Sequence, residues 1–301
     1  MKLLPDEINY AIGVDVGGSH ITAGLVNLSK RLLIRPTLVR KKVDSHGSAD
    51  EIIETWRCTI AEVLTLNALD VVPIGFAMPG PFDYENGISL MQSNMHKFET
   101  LYGMNIKSIL SEKLNIPTAQ IFFRNDAEAF LAGEIMSGSG RGYNKAIGVT
   151  LGTGLGTASY TNGKTIDTDL GMSLKYLDSV VEDYISTRWF VNRYFEVTGK
   201  KIVGVKDLAE NISQDKIAKD IFNEFRKNLL AVLTLLIKLE KEVPDVIVAG
   251  GNISNALTHY FSVMQHELRK KFPNIVLRKA QLGENAALIG AAERSLSVSG
   301  F

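Results

Sequence analysis

The most constraining feature of this 301-residue chain is an internal repeat. The segment AIGVDVGG at residues 11–18 recurs as AIGVTLGT at residues 146–153, and identical residues continue in register as far as Asn27 and Asn162. Each copy is typical of an apolar strand, a glycine-rich turn and a second strand. Shared register over this length favours duplication over a chance likeness of two hairpins. We therefore expect two domains of like architecture, each opening with a hairpin whose turn faces a shared cleft.

The two glycine-rich turns could hold a polyphosphate from both sides through backbone N–H groups. The residues concerned are Gly17, Gly18 and Ser19 in the first turn, and Thr153 and Gly154 in the second. Neither turn is a Walker-type loop, because no Gly-Lys-Ser/Thr follows. A second strand rather than a helix follows the glycines, which argues against a dinucleotide fingerprint.

The order of predicted elements indicates an α/β fold with sheets covered by helices. Strands are predicted at residues 11–16, 22–27, 32–39, 72–77, 121–124, 145–151, 157–161, 246–249 and 275–279. Helices are predicted at residues 49–66, 104–114, 127–133, 180–198, 214–240, 256–272 and 286–295. We expect a smaller domain at residues 1–120 and a larger one at 121–285, with the C-terminal helix, residues 286–301, packing back on the first.

Composition excludes several classes of protein. Lys plus Arg equals Asp plus Glu at 33 each, so net charge gives no sign of a nucleic-acid or membrane partner. Cys58 is the single cysteine, which precludes an internal disulfide or a thiolate zinc site. Residues 1–9 carry no apolar signal core, and the apolar runs are too short to span a bilayer. We expect a cytoplasmic protein.

Two carboxylates could carry chemistry. Asp15 lies in the first glycine-rich segment, where a bound phosphate would repel it unless a cation such as Mg²⁺ intervened; the alternative is a turn Asp that binds backbone amides. Asp126 precedes a predicted helix, and local sequence alone favours an N-cap role. A carboxylate at the end of a strand could instead accept a proton from a substrate hydroxyl.

Two further segments could bind ligands. Residues 79–81, Pro-Gly-Pro, form a rigid turn after a predicted strand, and Asn94 follows them with an amide that suits sugar hydroxyls. A surface turn explains such an Asn equally well. Residues 250–252 follow a later strand, and their two glycines would let a flat adenine lie on the backbone. The alternative there is an ordinary strand-to-helix turn.

Together these motifs resemble those of the ROK (repressor, open reading frame, kinase) sugar kinases of the actin-like ATPase superfamily. The matching segments, in family order, are the first phosphate motif at 12–19, the Pro-Gly segment at 75–81, the catalytic segment at 125–129, the second phosphate motif at 150–156, the nucleotide motif at 247–251 and the closing helix at 283–292. The resemblance implies two actin-like (ribonuclease H-like) domains, each a mixed sheet flanked by helices, with a cleft between them.

The resemblance also implies roles for individual residues. Asp126 would be the general base, and Asp15 would help to hold Mg²⁺ directly or through water. Sugar-binding candidates are Pro79, Gly80, Asn94, Asn125, Asp126 and Asp169. Candidates for ATP and its phosphates are Asp15, Gly17, Gly18, Ser19, Thr153, Gly154, Gly250, Gly251 and Asn252.

Two departures from the family pattern alter the expected sugar pocket. The family usually has Gly-Glu-Ile-Gly-His after the second phosphate motif, whereas this chain has TDLGM at residues 168–172. Asp169 is one methylene shorter than Glu, and Met172 cannot form the hydrogen bond of a His. The zinc-binding cysteine cluster of the family is also missing, so no zinc site is expected. Relatives without zinc include glucokinases that use polyphosphate, which leaves polyphosphate as an alternative donor.

The resulting hypothesis is a kinase that transfers the terminal phosphoryl group of ATP to a hexose or amino sugar of the glucose or N-acetylhexosamine type. The alternatives are a polyphosphate-dependent glucokinase and a catalytically weak sugar-binding regulator. A DNA-binding repressor is disfavoured, because about ten residues precede the first strand and leave no room for a helix-turn-helix domain. Family habit suggests a homodimer.

Overall fold

The structure, a computed structural model, describes residues 10–69, 71–92, 97–210, 212 and 214–296. They form two compact units: residues up to Ser137 together with those from Glu284 onward, and Gly138–Gly283. A six-stranded sheet forms the centre of the first unit, and a five-stranded sheet forms the centre of the second.

The strands are β1 (Tyr10–Val16), β2 (His20–Asn27), β3 (Leu32–Leu33), β4 (Val39–Lys42), β5 (Ile74–Met78), β6 (Phe82–Asp83), β7 (Ile88–Ser89), β8 (Ile121–Asn125), β9 (Lys145–Leu151), β10 (Leu155–Thr161), β11 (Lys164–Asp167), β12 (Lys175–Tyr176), β13 (Ser179–Val180), β14 (Val246–Gly250) and β15 (Val276–Lys279). The helices are α1 (Ala49–Leu66), α2 (Ile106–Leu114), α3 (Asp126–Ser137), α4 (Leu170–Ser173), α5 (Val181–Tyr184), α6 (Thr187–Thr198), α7 (Val205–Ala209), α8 (Lys216–Leu239), α9 (Asn252–Ala256), α10 (Phe261–Lys271) and α11 (Asn285–Glu293). Short 3₁₀ turns lie at Arg35–Thr37, Glu99–Leu101, Thr118–Gln120 and Thr258–Tyr260.

The two central sheets repeat one pairing scheme. In the first, the order is β3-β2-β1-β5-β8, with β4 also paired to β2; in the second it is β11-β10-β9-β14-β15. The opening strand of each sheet pairs antiparallel with the next strand and parallel with a later one, β5 or β14. Strands β1 and β9 also share the same alternation of buried and half-buried residues. This is the architecture that the internal repeat predicts.

Local sequence explains helix α1, whose bounds match the prediction. The Ser48 hydroxyl caps its N-terminus and Glu51 bonds back to the Ser48 backbone, a reciprocal capping box. Asp50 and Glu51 also place negative charge in the first turn, where the helix dipole favours it. The face that α1 buries is spaced at helical intervals and comprises Ile52, Ile53, Trp56, Thr59, Ile60, Val63 and Leu64.

Helix α11 docks on the first unit with its backbone in direct contact with neighbouring backbones. A Cβ atom placed on Gly75 of β5 would lie 1.8 Å from the Ala291 carbonyl oxygen, and one on Gly13 of β1 would lie 1.9 Å from that of Leu288. Gly290 meets the Ala129 carbonyl of α3 in the same way, at 1.8 Å. No side chain fits at these positions, so glycine sets the depth to which α11 sinks onto the sheet.

The division between the units differs from the one expected after residue 120. Strand β8 pairs in parallel with β5 over five residue pairs, which places it in the first sheet. Helix α3 follows β8 directly and packs against α11, so both elements belong to the first unit. Sequence order alone did not reveal this pairing, because β5 and β8 are separated by a long excursion of the chain.

Three elements predicted as continuous are interrupted. The strand predicted at 32–39 is broken by a 3₁₀ turn that contains Pro36, which has no N–H to donate to a sheet. The helix predicted at 180–198 is two helices, because Ser186 adopts an extended conformation and caps α6. The helix predicted at 256–272 is likewise divided: its first residue is the end of α9, and a 3₁₀ turn precedes α10. No helix in the described part of the chain is both long and apolar enough to cross a membrane.

Candidate functional site

The first glycine-rich turn joins β1 to β2. The Gly17 N–H donates to the His20 carbonyl at 2.9 Å, which closes the hairpin, and residues 17–19 are exposed. The chain after β4 braces the turn, because the Val43 N–H donates to the Ser19 carbonyl at 3.0 Å. The turn is therefore a fixed, open backbone surface of the kind that binds phosphate oxygens.

Asp15 lies next to this turn, near the end of β1, where β2 and β5 flank it. Burial raises the pKa of its carboxyl group to about 7, and the charges of Asp126 and Glu284 raise it further against a smaller opposing effect of Arg40. The site thus concentrates negative charge that one arginine only partly offsets. A cation would relieve this repulsion.

The pKa of Asp15 leads to a prediction about stability without Mg²⁺. The folded state holds the proton to about pH 7, against 3.8 for an ordinary Asp. The protonated Asp15 carboxyl group therefore stabilises the folded state in full below pH 3.8, and this stabilisation is lost as the pH rises to 7. Asp15→Asn should raise the free energy of unfolding at pH 8 by about 2–4 kcal/mol, and by less at pH 5. Urea unfolding at both pH values measures this, with Asp50→Asn as control; an equal effect at both would contradict it.

Asp126 is the first residue of α3, and solvent reaches its side chain. The cap is formed by the residue before it: Asn125 Oδ1 accepts the N–H groups of Ala127 at 2.7 Å and Glu128 at 3.4 Å. Although the residue is partly exposed, the surrounding protein removes water from its carboxyl group and so raises its pKa, while the charge of Lys97 and the Ala127 N–H lower it. Since Asn125 is the N-cap, the local interpretation of Asp126 as an N-cap has little support; Asp126 Oδ1 accepts the N–H of the next residue, Ala127, at 2.8 Å.

The Pro-Gly-Pro turn lies beside Asn125. Asn125 Nδ2 donates to Tyr84 Oη at 3.2 Å, and Tyr84 Oη donates to the Met78 carbonyl at 3.2 Å. A Cβ atom on Gly80 would lie 3.2 Å from the same hydroxyl. Pro79 is buried, so of the two candidates in this turn Gly80 is the more open. Asn94, the remaining sugar-binding candidate of the first unit, lies outside the described residues.

The second glycine-rich turn, in the other unit, is fixed by residues that follow it by about thirty positions in the chain. Thr187, at the start of α6, donates its N–H and hydroxyl to the Gly152 carbonyl at 2.8 and 2.9 Å. The Leu155 N–H donates to Glu182 Oε2 at 3.0 Å, and a Cβ on Gly154 would lie 2.4 Å from that oxygen. Thr153, at the tip of the turn, is exposed.

A cavity of about 690 Å³ opens beside this second turn, within the same unit. Its walls come from the turn, the start of α6, helix α7 and helix α9, and the residues that line it are Thr153, Thr187, Gly204, Val205, Lys206, Ala209, Asn252, Ile253, Asn255 and Ala256. The volume suits a drug-sized or nucleoside-sized ligand. Its mixed lining, apolar walls with a few amide and hydroxyl groups, suits a flat heterocycle attached to a phosphate.

The three residues predicted to bind the nucleoside lie in different environments. Asn252 lines the cavity, whereas Gly250 is a buried strand residue paired with Thr150 of β9. Gly251 has a φ of 83°, and a Cβ there would lie 2.3 Å from the Leu151 carbonyl. The absence of a side chain at Gly251 therefore lets the β14–α9 connection pack on the end of β9.

The altered sugar motif forms the short helix α4. Asp169 precedes it with a left-handed φ of 44° and is exposed, as is Met172. Helix α4 packs on β10 and α5, where a Cβ on Gly171 would lie 2.2 Å from the Leu155 carbonyl. No three His, Cys, Asp or Glu side chains come together as a metal-ligand set within the part of the chain that the structure describes.

Sequence reasoning missed several residues of the site. Thr187 and Glu182 bind the second turn, Tyr84 orients Asn125, and helix α7 forms one wall of the cavity. A signal existed for Thr187, because a Ser-Thr pair ahead of an apolar run is typical of a helix start. No local pattern indicated the other contacts, because each joins segments that are distant in sequence.

Comparison with known sequences shows which proteins this chain resembles. The model of the ROK family matches residues 11–174. A glucokinase of Thermotoga maritima is 32% identical over 57% of this chain, and the match spans 50% of that enzyme. A polyphosphate glucokinase of Mycobacterium leprae is 27% identical over 94% of this chain and 74% of its own length. An N-acetyl-D-glucosamine kinase of Mannheimia succiniciproducens is 23% identical over 93% of this chain and 97% of its own.

Solved structures show the same fold. The ROK hexokinase of Thermus thermophilus superposes with a TM-score of 0.81 at 22% identity, over 97% of this chain and 100% of that one. A ROK glucokinase of Streptomyces griseus, solved with glucose and AMPPNP, superposes with a TM-score of 0.75 at 23% identity, over 96% and 100% of the chains. The fold is the two-domain, actin-like α/β fold that the sequence predicts. The chain belongs to the ROK family.

Proposed function

We propose that this carbohydrate kinase transfers the terminal phosphoryl group of ATP to a hydroxyl of a hexose or amino sugar, with Asp126 as the general base. One observation carries the proposal most directly. The Asp126 side chain is accessible to solvent, and Asn125 rather than Asp126 caps α3. The charge of Asp126 also acts on Asp15, which lies beside the first glycine-rich turn. A carboxylate so placed can accept the proton of a sugar hydroxyl.

The chemistry is an in-line displacement. The sugar oxygen forms a bond to the γ-phosphorus while the bond from that phosphorus to the β–γ bridging oxygen breaks, and ADP leaves with the bonding electron pair. The hydroxyl proton passes to the Asp126 carboxylate. Asn125, held by Tyr84, is placed to orient the sugar through its amide group. Positioning and charge neutralisation supply most of the rate enhancement in such a reaction.

The residues around Asp15 fit a Mg²⁺ ion. Mg²⁺ commonly binds through one or two carboxylates together with waters and substrate phosphates, so a complete set of protein ligands is not required. Asp15 would hold the ion directly or through water, and the neighbouring charges of Asp126 and Glu284 favour a cation there. When bound, the ion would neutralise phosphate charge.

The cavity beside the second turn supports ATP over polyphosphate as the donor. A linear polyphosphate has no group to fill a walled cavity of about 690 Å³, whereas the base and ribose of a nucleotide do. Thr153 and the N-terminus of α6 border the same cavity, where the helix dipole favours phosphate. The exposed Asp169 and Met172, which replace the family's Glu and His, support a sugar preference different from that of ordinary glucokinases.

The direct test is a coupled assay of ADP release over a panel of hexoses and N-acetylhexosamines, repeated with polyphosphate as the donor. We expect turnover with ATP on at least one sugar. A folded sample that binds a sugar by calorimetry yet phosphorylates none with either donor would instead support the sugar-binding regulator. The facing of the two turns across one cleft, the homodimer and the cytoplasmic location stay predictions.

Filling the cavity provides a sharper test of the donor. Ala209→Trp should raise the KM for ATP at least about tenfold, because an indole would occupy the space of the nucleoside. Turnover with polyphosphate, if present in the wild type, should be unaffected. Val263→Trp, on the exposed face of α10 and outside the cavity lining, is the matched control. An unchanged KM for ATP in the Ala209 variant would remove the cavity from the nucleotide site.

A further inference from the structure

We propose that Lys97 is an additional catalytic residue, whose ammonium group neutralises the phosphoryl group as it passes from the first glycine-rich turn toward the acceptor hydroxyl at Asp126. The inference rests on the proposed kinase function and adds to it a cation supplied by the protein. Three independent observations place this side chain: its approach to the turn, its anchoring through Phe98, and its charge interaction with Asp126.

The Lys97 side chain reaches the first turn. A Cβ atom built on Gly18 would lie 3.9 Å from Lys97 Cδ and 3.8 Å from Ser45 Oγ, both ordinary contact distances. Since Cδ is two bonds short of Nζ, the ammonium group lies within reach of an oxygen bound to the turn's backbone. Gly18 has no side chain that would separate the two.

The backbone of Lys97 is held in place by the residue that follows it. Phe98 is fully buried, packs edge-on against Trp56 with ring centroids 5.5 Å apart, and donates its N–H to the Ser45 carbonyl at 2.7 Å. Its φ of 55° lies in the left-handed region, which a bulky side chain adopts only when its surroundings enforce it. Ser45 therefore joins the Phe98 anchor to the Gly18 turn.

The charge of Lys97 acts on Asp126. After burial, which acts in the opposite direction, Lys97 has the largest effect on the pKa of that carboxyl group and lowers it. In contrast to Arg40, which pairs with Glu284 at 2.8 Å, Lys97 forms no ion pair with any residue that the structure describes. A half-buried cation that lies near both a glycine-rich turn and the proposed base, and that is in no ion pair among the described residues, is suited to an anionic substrate.

The arrangement assigns Lys97 a role in the transfer step rather than in binding alone. Charge on the oxygens of the transferred phosphoryl group is redistributed as it moves away from ADP, and a fixed cation on its path stabilises that charge. Lys97 takes no proton and forms no covalent bond. Its removal should therefore lower kcat much more than it weakens the binding of either substrate.

The experiment compares Lys97→Met and Lys97→Arg with Lys30→Met, a matched loss of charge at the exposed turn beyond the opposite end of β2. We expect Lys97→Met to lower kcat by about 10²–10³-fold at saturating substrates. The dissociation constants of AMPPNP and sugar, measured by calorimetry, should change by less than about threefold. Lys97→Arg should recover at least a tenth of the activity, and Lys30→Met should match the wild type.

Three outcomes would overturn the assignment while the kinase function stands. In the first, the wild type and Lys97→Met are equally active. In the second, Lys97→Arg and Lys97→Met lose activity to the same extent. In the third, weaker binding of AMPPNP accounts for the whole loss of activity. Thermal unfolding of each variant separates these from a folding defect, and the Arg variant remains informative if the Met variant does not fold. A wild type without turnover on any sugar with either donor would refute the kinase proposal, and the role of Lys97 with it.

Discussion

Replacing Asp126 with Asn is expected to lower kcat by about 10²–10⁴-fold, the range that general bases supply, with the dissociation constant for sugar changed only a few-fold. The amide keeps the size and hydrogen-bonding capacity of the side chain but cannot accept the hydroxyl proton. The cap of α3 remains, because Asn125 Oδ1 accepts the N–H groups of Ala127 and Glu128. The helix should therefore fold as in the wild type.

A coupled kinase assay and calorimetry with the sugar measure the two halves of this prediction. Asp50→Asn, an exposed Asp at the start of α1 in the same unit, removes the same charge and should leave kcat unchanged. The melting temperature of the Asp126 variant should not fall, because loss of water around the carboxyl group already disfavours its ionised form and raises its pKa. Retention of more than about a tenth of the wild-type kcat would exclude Asp126 as the base.

Replacing Gly75 with Val should abolish folding of the first unit or destabilise it by more than about 3 kcal/mol. The new Cβ atom would lie 1.8 Å from the Ala291 carbonyl oxygen and 2.4 Å from its carbon. Both are backbone atoms of α11, so no side chain can rotate to make room. Helix α11 would have to lift off β5 and expose the apolar surface beneath it, including Leu288 and Ile289.

Circular dichroism during thermal unfolding measures this effect. Gly18→Ala is the matched control, because its Cβ would approach its nearest neighbours at only 3.8 and 3.9 Å. The control should unfold within a few degrees of the wild type. A Gly75 variant with wild-type stability would mean that α11 does not pack as deeply as the structure shows. The two variants together thus test the docking of the C-terminal helix independently of catalysis.

Residue patterns and the internal repeat predicted most of the secondary structure and the two glycine-rich turns. The bounds of α1 and β9 agree with the prediction, because capping residues and apolar alternation are local signals. The prediction failed where a local pattern was ambiguous, as in the helix divided at Ser186, and where a strand's partner was distant, as for β8. Apolar periodicity does not specify with which strand a segment pairs.

The sequence by itself determined that two like sheets would form and that each would open with a glycine turn, because these features depend on neighbouring residues. Tertiary structure alone decided which side chains surround the turns. Lys97 reaches Gly18, Glu182 binds the backbone beside Gly154, and Glu284 acts on Asp15 from the far end of the chain. Such contacts arise when sheets and helices pack, so their charges and distances follow from three-dimensional proximity between segments that share no local pattern.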